Sequence, residues 1–244
     1  MREYYAFKGF CRGIPKGLGF LLLLAVAFLS YVYFMQNTPH LSPCFTGLER
    51  LCLSIVSGVV FYLIVVRSKE WRDRRAVAPH LYGRTKRIIG NAMLFFGAME
   101  REITGTQSNA RFPDADTLDR QCAQLRIATP AERGATFLHG DGSLPIWIDQ
   151  LDYLMRETNA VIDDMFGKIP YMEVGYVALL TSIHDCALFQ KIAECKRHSP
   201  NWPIQDSATL SVFYGDMKAF KDLIENLDAY SNRRFQEHGG IPSP

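Results

Sequence analysis

Between Leu18 and Val66 the chain holds two apolar runs separated by a short loop almost free of charge. Leu18–Met35 (LGFLLLLAVAFLSYVYFM) is an 18-residue run without a charge, and Leu51–Val66 (LCLSIVSGVVFYLIVV) is a second run of 16. As helices they rise about 27 Å and about 24 Å, against a hydrocarbon core of about 30 Å. Both are apolar on every side, whereas a helix in a water-soluble domain keeps a polar face. Two buried core helices and a cleavable leader are the competing readings. The first run is longer than a usual signal core, and Ala25-Val26-Ala27 lies inside it rather than after it. The stretch is therefore read as a two-helix transmembrane hairpin, with spans 18–35 and 51–66. Glu49 and Arg50 are expected at the entrance of the short second span, from which they snorkel outward.

Basic residues set the orientation. Arg2, Lys8, Arg12 and Lys16 precede the first run, Arg67, Lys69, Arg72, Arg74 and Arg75 follow the second, and Gln36–Leu48 contains neither Lys nor Arg. The positive-inside rule places both termini in the cytoplasm, with the membrane crossed twice. The five basic residues after the second run are expected to meet lipid headgroups, each gaining about 1 kcal/mol from anionic lipid. Residues 1–76 hold ten Lys and Arg against four Asp and Glu, while 77–244 hold 17 against 21. A mildly acidic soluble part argues against bulk nucleic-acid binding, which needs a basic face. The six cysteines form no CxxC pair, and only Cys44 falls outside membrane and cytoplasm, so free thiols are expected.

The organisation follows: a basic leader at 1–17, the hairpin at 18–66, a basic juxtamembrane linker at 67–79, a helical domain at 80–235 and a disordered tail at 236–244. In the leader, Arg12, Pro15 and Lys16 interrupt the Gly9/Gly13/Gly17 spacing, which favours a flexible or surface-bound segment. In the second span Ser54, Ser57 and Gly58 bring small side chains together, as helices that assemble in membranes require. That face is open to packing against the first span or against another copy. Neither span carries Asp, Glu, Lys, Arg or His, which argues against a transporter or proton relay.

Beyond Pro79, expected to break the chain into the soluble domain, the pattern has helical period throughout. Leu81, Thr85, Ile88, Ala92, Phe95, Met99 and Ile103 form one stripe that Gly105 ends. Asp114 caps a short helix with Leu118, Cys122 and Leu125. Thr129-Pro130-Ala131-Glu132 reads as a capping box opening one or two turns before Gly134. Ser143 is expected to cap a helix whose Leu144, Ile148, Leu151, Met155, Thr158, Ile162, Met165 and Ile169 make a heptad seam, stopped by Pro170. A helix over Glu173–Arg197, a loop over His198–Gln205, and a last helix capped by Asp206 complete the domain. That last helix carries Leu210, Phe213, Met217, Phe220, Ile224 and Leu227. The fold class is all-α: a hairpin followed by an antiparallel bundle of four long and one or two short helices.

Chemistry is sparse. His184-Asp185, within LLTSIHD, resembles the all-helical HD metal-dependent phosphohydrolase family. That resemblance implies a divalent metal held with an earlier histidine, His80 or His139, and a later aspartate, Asp216 or Asp228. Cys186 and Ala187 stand where the family's glycine and lysine often follow. Two ligands do not make a metal site, and a core-edge histidine is the preferred reading. Cys195 and His198 have zinc-like spacing without a fourth ligand. His139-Gly140-Asp141-Gly142 reads as a turn, with a small-ligand cradle as the sharper option. Asp149, Asp152, Arg156, Asn159 and Asp163 line one polar stripe, either a solvated face or a partner surface. No catalytic set, metal or cofactor is expected, and the chain is not read as an enzyme.

In its hairpin, orientation and helical domain the chain resembles two-transmembrane effectors of bacterial anti-phage defence systems, including those encoded beside retrons or cyclic-nucleotide synthases. The resemblance implies a homo-oligomer that perturbs the membrane as a toxin. Its trigger would be a reverse transcriptase with its RNA–DNA product, another cytoplasmic protein, or a nucleotide signal. A membrane-tethered scaffold or adaptor is the alternative.

Overall fold

The computed structural model describes residues 16–35, 43–106, 112–197 and 208–237. Most of the leader, the start of the inter-run loop, the His198–Gln205 loop, the Asp206 cap and the tail beyond Glu237 lie outside the described residues. Among those described, every regular element is helical, and β pairing is confined to two isolated bridges, Arg126 with Thr209 and Pro130 with Ile146. The chain divides into two compact units, one ending at Ala78 and the other spanning Pro79–Phe235.

The first unit holds α1 (Lys16–Met35) and α2 (Pro43–Phe61), which pack on one another. Ala25, Cys52 and Val59 are buried there, while Leu23, Leu24, Leu53, Phe61 and Ile64 stay exposed. A water-soluble pair of helices would not leave so many apolar side chains uncovered. The second helix starts at Pro43, so Glu49 and Arg50 lie on the helix, directly ahead of the apolar run. Its length also exceeds the uncharged run, because flanking polar residues continue the helix. A six-residue π-helical segment, Tyr62–Arg67, follows. One continuous helical stretch, Arg50–Thr104, is long and apolar enough to cross a membrane.

Helix α3 (Ser68–Thr104) runs through Pro79 instead of stopping there. Proline removes the N–H that would bond the Arg75 carbonyl, a loss of about 3 kcal/mol in a helix interior. Both residues lie on a solvent-accessible side of the helix, so water can take the freed carbonyl. The predicted stripe is buried from Leu81 to Met99, and Gly105 (φ +68°) closes the helix with its N–H on the Arg101 carbonyl at 2.9 Å. Thr85 is fully buried. Its hydroxyl donates to the Leu81 carbonyl at 2.7 Å and pairs with the Tyr176 hydroxyl.

Asp114 caps α4 (Ala115–Gln124), accepting the Thr117 N–H at 2.7 Å, and these bonds hold its carboxyl below the usual range. The proposed capping box opens no helix. The Ala131 N–H goes to the Pro145 carbonyl at 2.9 Å, and Pro130 bridges Ile146, so backbone pairing replaces a helical turn. The same pairing delays the next helix, α5 (Trp147–Phe166). Ser143 does not cap it, because its N–H and hydroxyl both donate to Asp141 Oδ1, at 2.9 and 2.7 Å. Leu144 and Ile169, the two ends of the heptad seam, lie outside this helix and are exposed; Met155 is half-buried, and Ile148, Leu151, Thr158, Ile162 and Met165 are buried. Trp147, Leu154 and Val161 widen the buried face beyond a coiled-coil seam.

The expected helix over Glu173–Arg197 is two, α6 (Val174–His184) and α7 (Ala187–Arg197), with the break at Asp185-Cys186. Aspartate is a poor interior helix residue. Here the Gln190 amide donates to the freed Asp185 carbonyl at 3.0 Å. The break lets Leu180 and Ile183 before it, and Leu188, Phe189 and Ile192 after it, all reach the core. A 3-10 turn, Leu210–Phe213, leads into α8 (Tyr214–Glu237), and the six predicted inward residues are all buried.

Candidate functional site

The small residues of α2 lie away from the face that α1 covers. Cys52 and Val59 are buried and Ile55 and Val56 half-buried, whereas Ser54, Ser57 and Gly58 are exposed, about half a turn round the helix. A Cβ built on Gly58 meets nothing within 4 Å. Within this unit the face has open space on it.

Of the five basic residues after the second run, Lys69, Arg72, Arg74 and Arg75 are the more open to solvent. Arg67 is half-buried, and its guanidinium pairs with Glu70 at 3.1 Å. The Arg75 guanidinium stands 5.2 Å above the Trp71 ring, a cation–π contact at the end of the apolar stretch.

The His184-Asp185 pair closes α6 rather than sitting mid-helix. His184 Nδ1 is 2.6 Å from Asp185 Oδ1, and its Nε2 faces Asp163 Oδ1 at 3.6 Å. The other residues that an HD-type metal site would need are engaged elsewhere. His80 Nε2 faces Asp164 at 3.4 Å and His139 Nε2 faces Asp149 at 3.4 Å. Asp216 pairs with Lys191 and Asp228 with Lys86. Among the described residues no three His, Cys, Asp or Glu gather around one point. The HD ligand set does not fit this arrangement.

His139–Gly142 is a closed turn: the Gly142 N–H donates to the His139 carbonyl at 2.8 Å, the His139 N–H to the Ser143 carbonyl at 3.0 Å, and Gly142 sits at φ +80°. Two of the amides that would cradle a ligand, those of His139 and Gly142, serve the turn. The polar stripe of α5 is also largely engaged within the chain. Asp149 pairs with Lys196, Arg156 with Asp152 at 2.9 Å, and Asp163 faces His184. Arg156 and Asp163 remain the more exposed of the four.

Three of the described thiols are made less reactive by burial. Burial pushes Cys122 up to about 12, and it raises Cys186 and Cys195 as well. Thiolate is the nucleophile, so iodoacetamide at pH 8 is expected to leave Cys122 and Cys186 unmodified in folded protein, with Cys195 reacting before either. Peptide mapping by mass spectrometry checks this; rapid alkylation of Cys122 without denaturant would contradict its burial.

Two features have no signature in the sequence. Glu102 Oε2 accepts the N–H groups of both Arg133 and Gly134, each at 2.7 Å, tying the 130–146 segment to the end of α3. Beside it a shallow groove of about 430 Å³ is lined by Glu102, Ile103, Gln124, Arg126, Thr129 and Trp147, without a nucleophile and base in reach of one another. Gln150 reinforces the tie, accepting from Thr136 and donating weakly to the Gly134 carbonyl at 3.4 Å. The groove thus sits on a structural tie rather than on a catalytic constellation. Compared with known proteins, the chain matches no family model, no curated protein and no solved structure.

Proposed function

We propose that the chain is a two-pass inner-membrane effector with both termini in the cytoplasm. Its helical domain responds to a cytoplasmic partner or signal, and its α1–α2 hairpin assembles with copies of itself to perturb the bilayer, in anti-phage defence. The observation that carries this reading is the division of α2 into two faces. One packs on α1 and buries Cys52 and Val59; the other presents Ser54, Ser57 and Gly58 with nothing over them. Small residues in a membrane helix let a second backbone approach closely, and association there depends on that packing. A tether alone needs no such face.

The test is to replace residues 18–66 with an unrelated two-span anchor of equal length and express both chains with the trigger present. Loss of membrane potential, read with a voltage-sensitive dye, is expected only with the native hairpin. If the substituted chain depolarises cells equally, the hairpin is an anchor and the adaptor reading replaces this one.

A further inference from the structure

We propose that the groove at the end of α3 binds a free apolar α-amino acid, with the ligand's ammonium at Glu102 and its carboxylate at Arg126. The site lies wholly within the Pro79–Phe235 unit and stands whether or not the hairpin perturbs a membrane. Its volume of about 430 Å³ falls at the small end of the range for small-molecule sites, roughly 300–1,000 Å³. Ile103, Leu125 and Trp147 supply apolar lining, and Glu102, Gln124 and Arg126 supply polar groups.

Two opposite charges line this groove without pairing. Glu102 Oε2 accepts the Arg133 and Gly134 N–H groups, which hold the carboxylate in place. Its Oε1 has no partner among the described residues, and neither has the Arg126 guanidinium. Elsewhere in the domain, charged groups on neighbouring elements find one another: Arg84 meets Asp164, Arg87 meets Glu157 and Lys196 meets Asp149. Here the frame keeps acid and base apart, and a molecule with a cation and an anion of its own satisfies both. A guanidinium takes a carboxylate through two parallel bonds, and a carboxylate takes an ammonium through a charge-assisted one. Trp147 adds a further unspent group. It is fully buried, and its indole N–H has no acceptor. A buried donor left unpaired is costly, so a site that contains one gains from an acceptor brought in from outside. An α-amino acid is the compact zwitterion whose third substituent can be apolar, as the Ile103, Leu125 and Trp147 lining requires. The backbone that carries Arg126 is fixed beforehand. The Leu125 carbonyl accepts the Leu210 N–H at 2.8 Å, and the Ile127 N–H donates to the Ala208 carbonyl at 2.9 Å. The Arg126 carbonyl accepts the Thr129 hydroxyl at 2.9 Å. A frame already ordered loses little freedom on binding.

The test uses the full chain in detergent micelles, labelled with nitrogen-15 tryptophan. A Trp71→Phe, Trp202→Phe background leaves Trp147 as the one indole N–H signal in the nuclear magnetic resonance spectrum. L-leucine is titrated in to about 20 mM, and the Trp147 signal is expected to shift and saturate with a midpoint of about 1 mM or below. Isocaproate lacks leucine's ammonium and isoamylamine lacks its carboxylate; each is expected to bind at least about tenfold more weakly, because one charge of the groove stays unpaired. Arg126→Gln alters an exposed side chain and is expected to weaken leucine at least about tenfold. Its unliganded Trp147 signal should stay where it was, which separates lost binding from a disturbed fold. Absence of a saturable shift with leucine overturns the proposal. So does isocaproate or isoamylamine binding as tightly as leucine, since one charge would then suffice. Leucine affinity unchanged in Arg126→Gln places the ligand elsewhere and overturns it as well.

Discussion

Gly134→Ala is expected to lower the stability of the helical domain by about 3 kcal/mol, at the upper end of what overpacking costs. The reason is space. A Cβ at Gly134 would lie 2.4 Å from the Ala98 carbonyl oxygen and 3.1 Å from Trp147 Cη2. Neither neighbour can yield cheaply. Ala98 is fully buried backbone of α3, and Trp147 is a fully buried side chain. The segment around residue 134 must retreat instead, and that retreat breaks the two N–H bonds to Glu102. Amide donors drawn away from their carboxylate then stand unsatisfied, which adds to the cost of the clash. In detergent-solubilised full-length protein the unfolding midpoint should fall by about 6–12 °C for a domain of this size. Gly140→Ala is the control, since a Cβ there meets nothing within 4 Å; its change should stay within about 0.5 kcal/mol. Equal midpoints for the two variants would mean that the Ala98–Gly134 approach is loose enough to admit a methyl group.

That approach illustrates what sequence could and could not reveal. The helical stripes of α3 and α8 were legible because burial on one helix face imposes a period of three and four. Every predicted inward residue from Leu210 to Leu227 is buried, and so is α3's stripe from Leu81 to Met99. The Asp114 cap was legible because it depends on residues three apart. Misreadings came where a local signal competed with a distant partner. Thr129-Pro130-Ala131-Glu132 has the residues of a capping box, but Pro145 and Ile146 claim its backbone. Ser143 has the character of a cap, but Asp141 claims both its donors. Pro79 suggests a stop, yet it interrupts only one hydrogen bond on a solvent-accessible side of a long helix. The His184-Asp185 pair looked embedded in one helix because the apolar period continues across it. The break at Asp185 preserves that period while redirecting the chain, so periodicity alone could not report it. Glu102 and Gly134 are 32 residues apart, with nothing in either neighbourhood to announce the pairing.

The hairpin poses the opposite case, where a short local pattern gains meaning from the fold. Ser54, Ser57 and Gly58 could have faced α1, which would make them internal packing residues. They face away, so enlarging one should leave the helix pair intact and disturb only what approaches from outside. Under the proposed effector reading, Gly58→Leu is expected to abolish depolarisation at unchanged expression and membrane insertion. A Cβ at Gly58 has no atom within 4 Å, so the single copy accommodates the longer side chain. A loss of about 1.4 kcal/mol per contact lowers association about tenfold, and several copies in one assembly multiply the loss. Val60→Leu, an addition of bulk at another exposed position of α2, serves as the comparison and should retain activity. Cross-linking in membranes supplies the physical readout: ladders of higher species should appear for the parent and Val60→Leu and fade for Gly58→Leu. Depolarisation that persists undiminished in Gly58→Leu would detach this face from assembly, whatever the hairpin does otherwise. If the ladder fades but depolarisation persists, association and membrane damage are separate properties of the chain, and the small-residue face serves only the first.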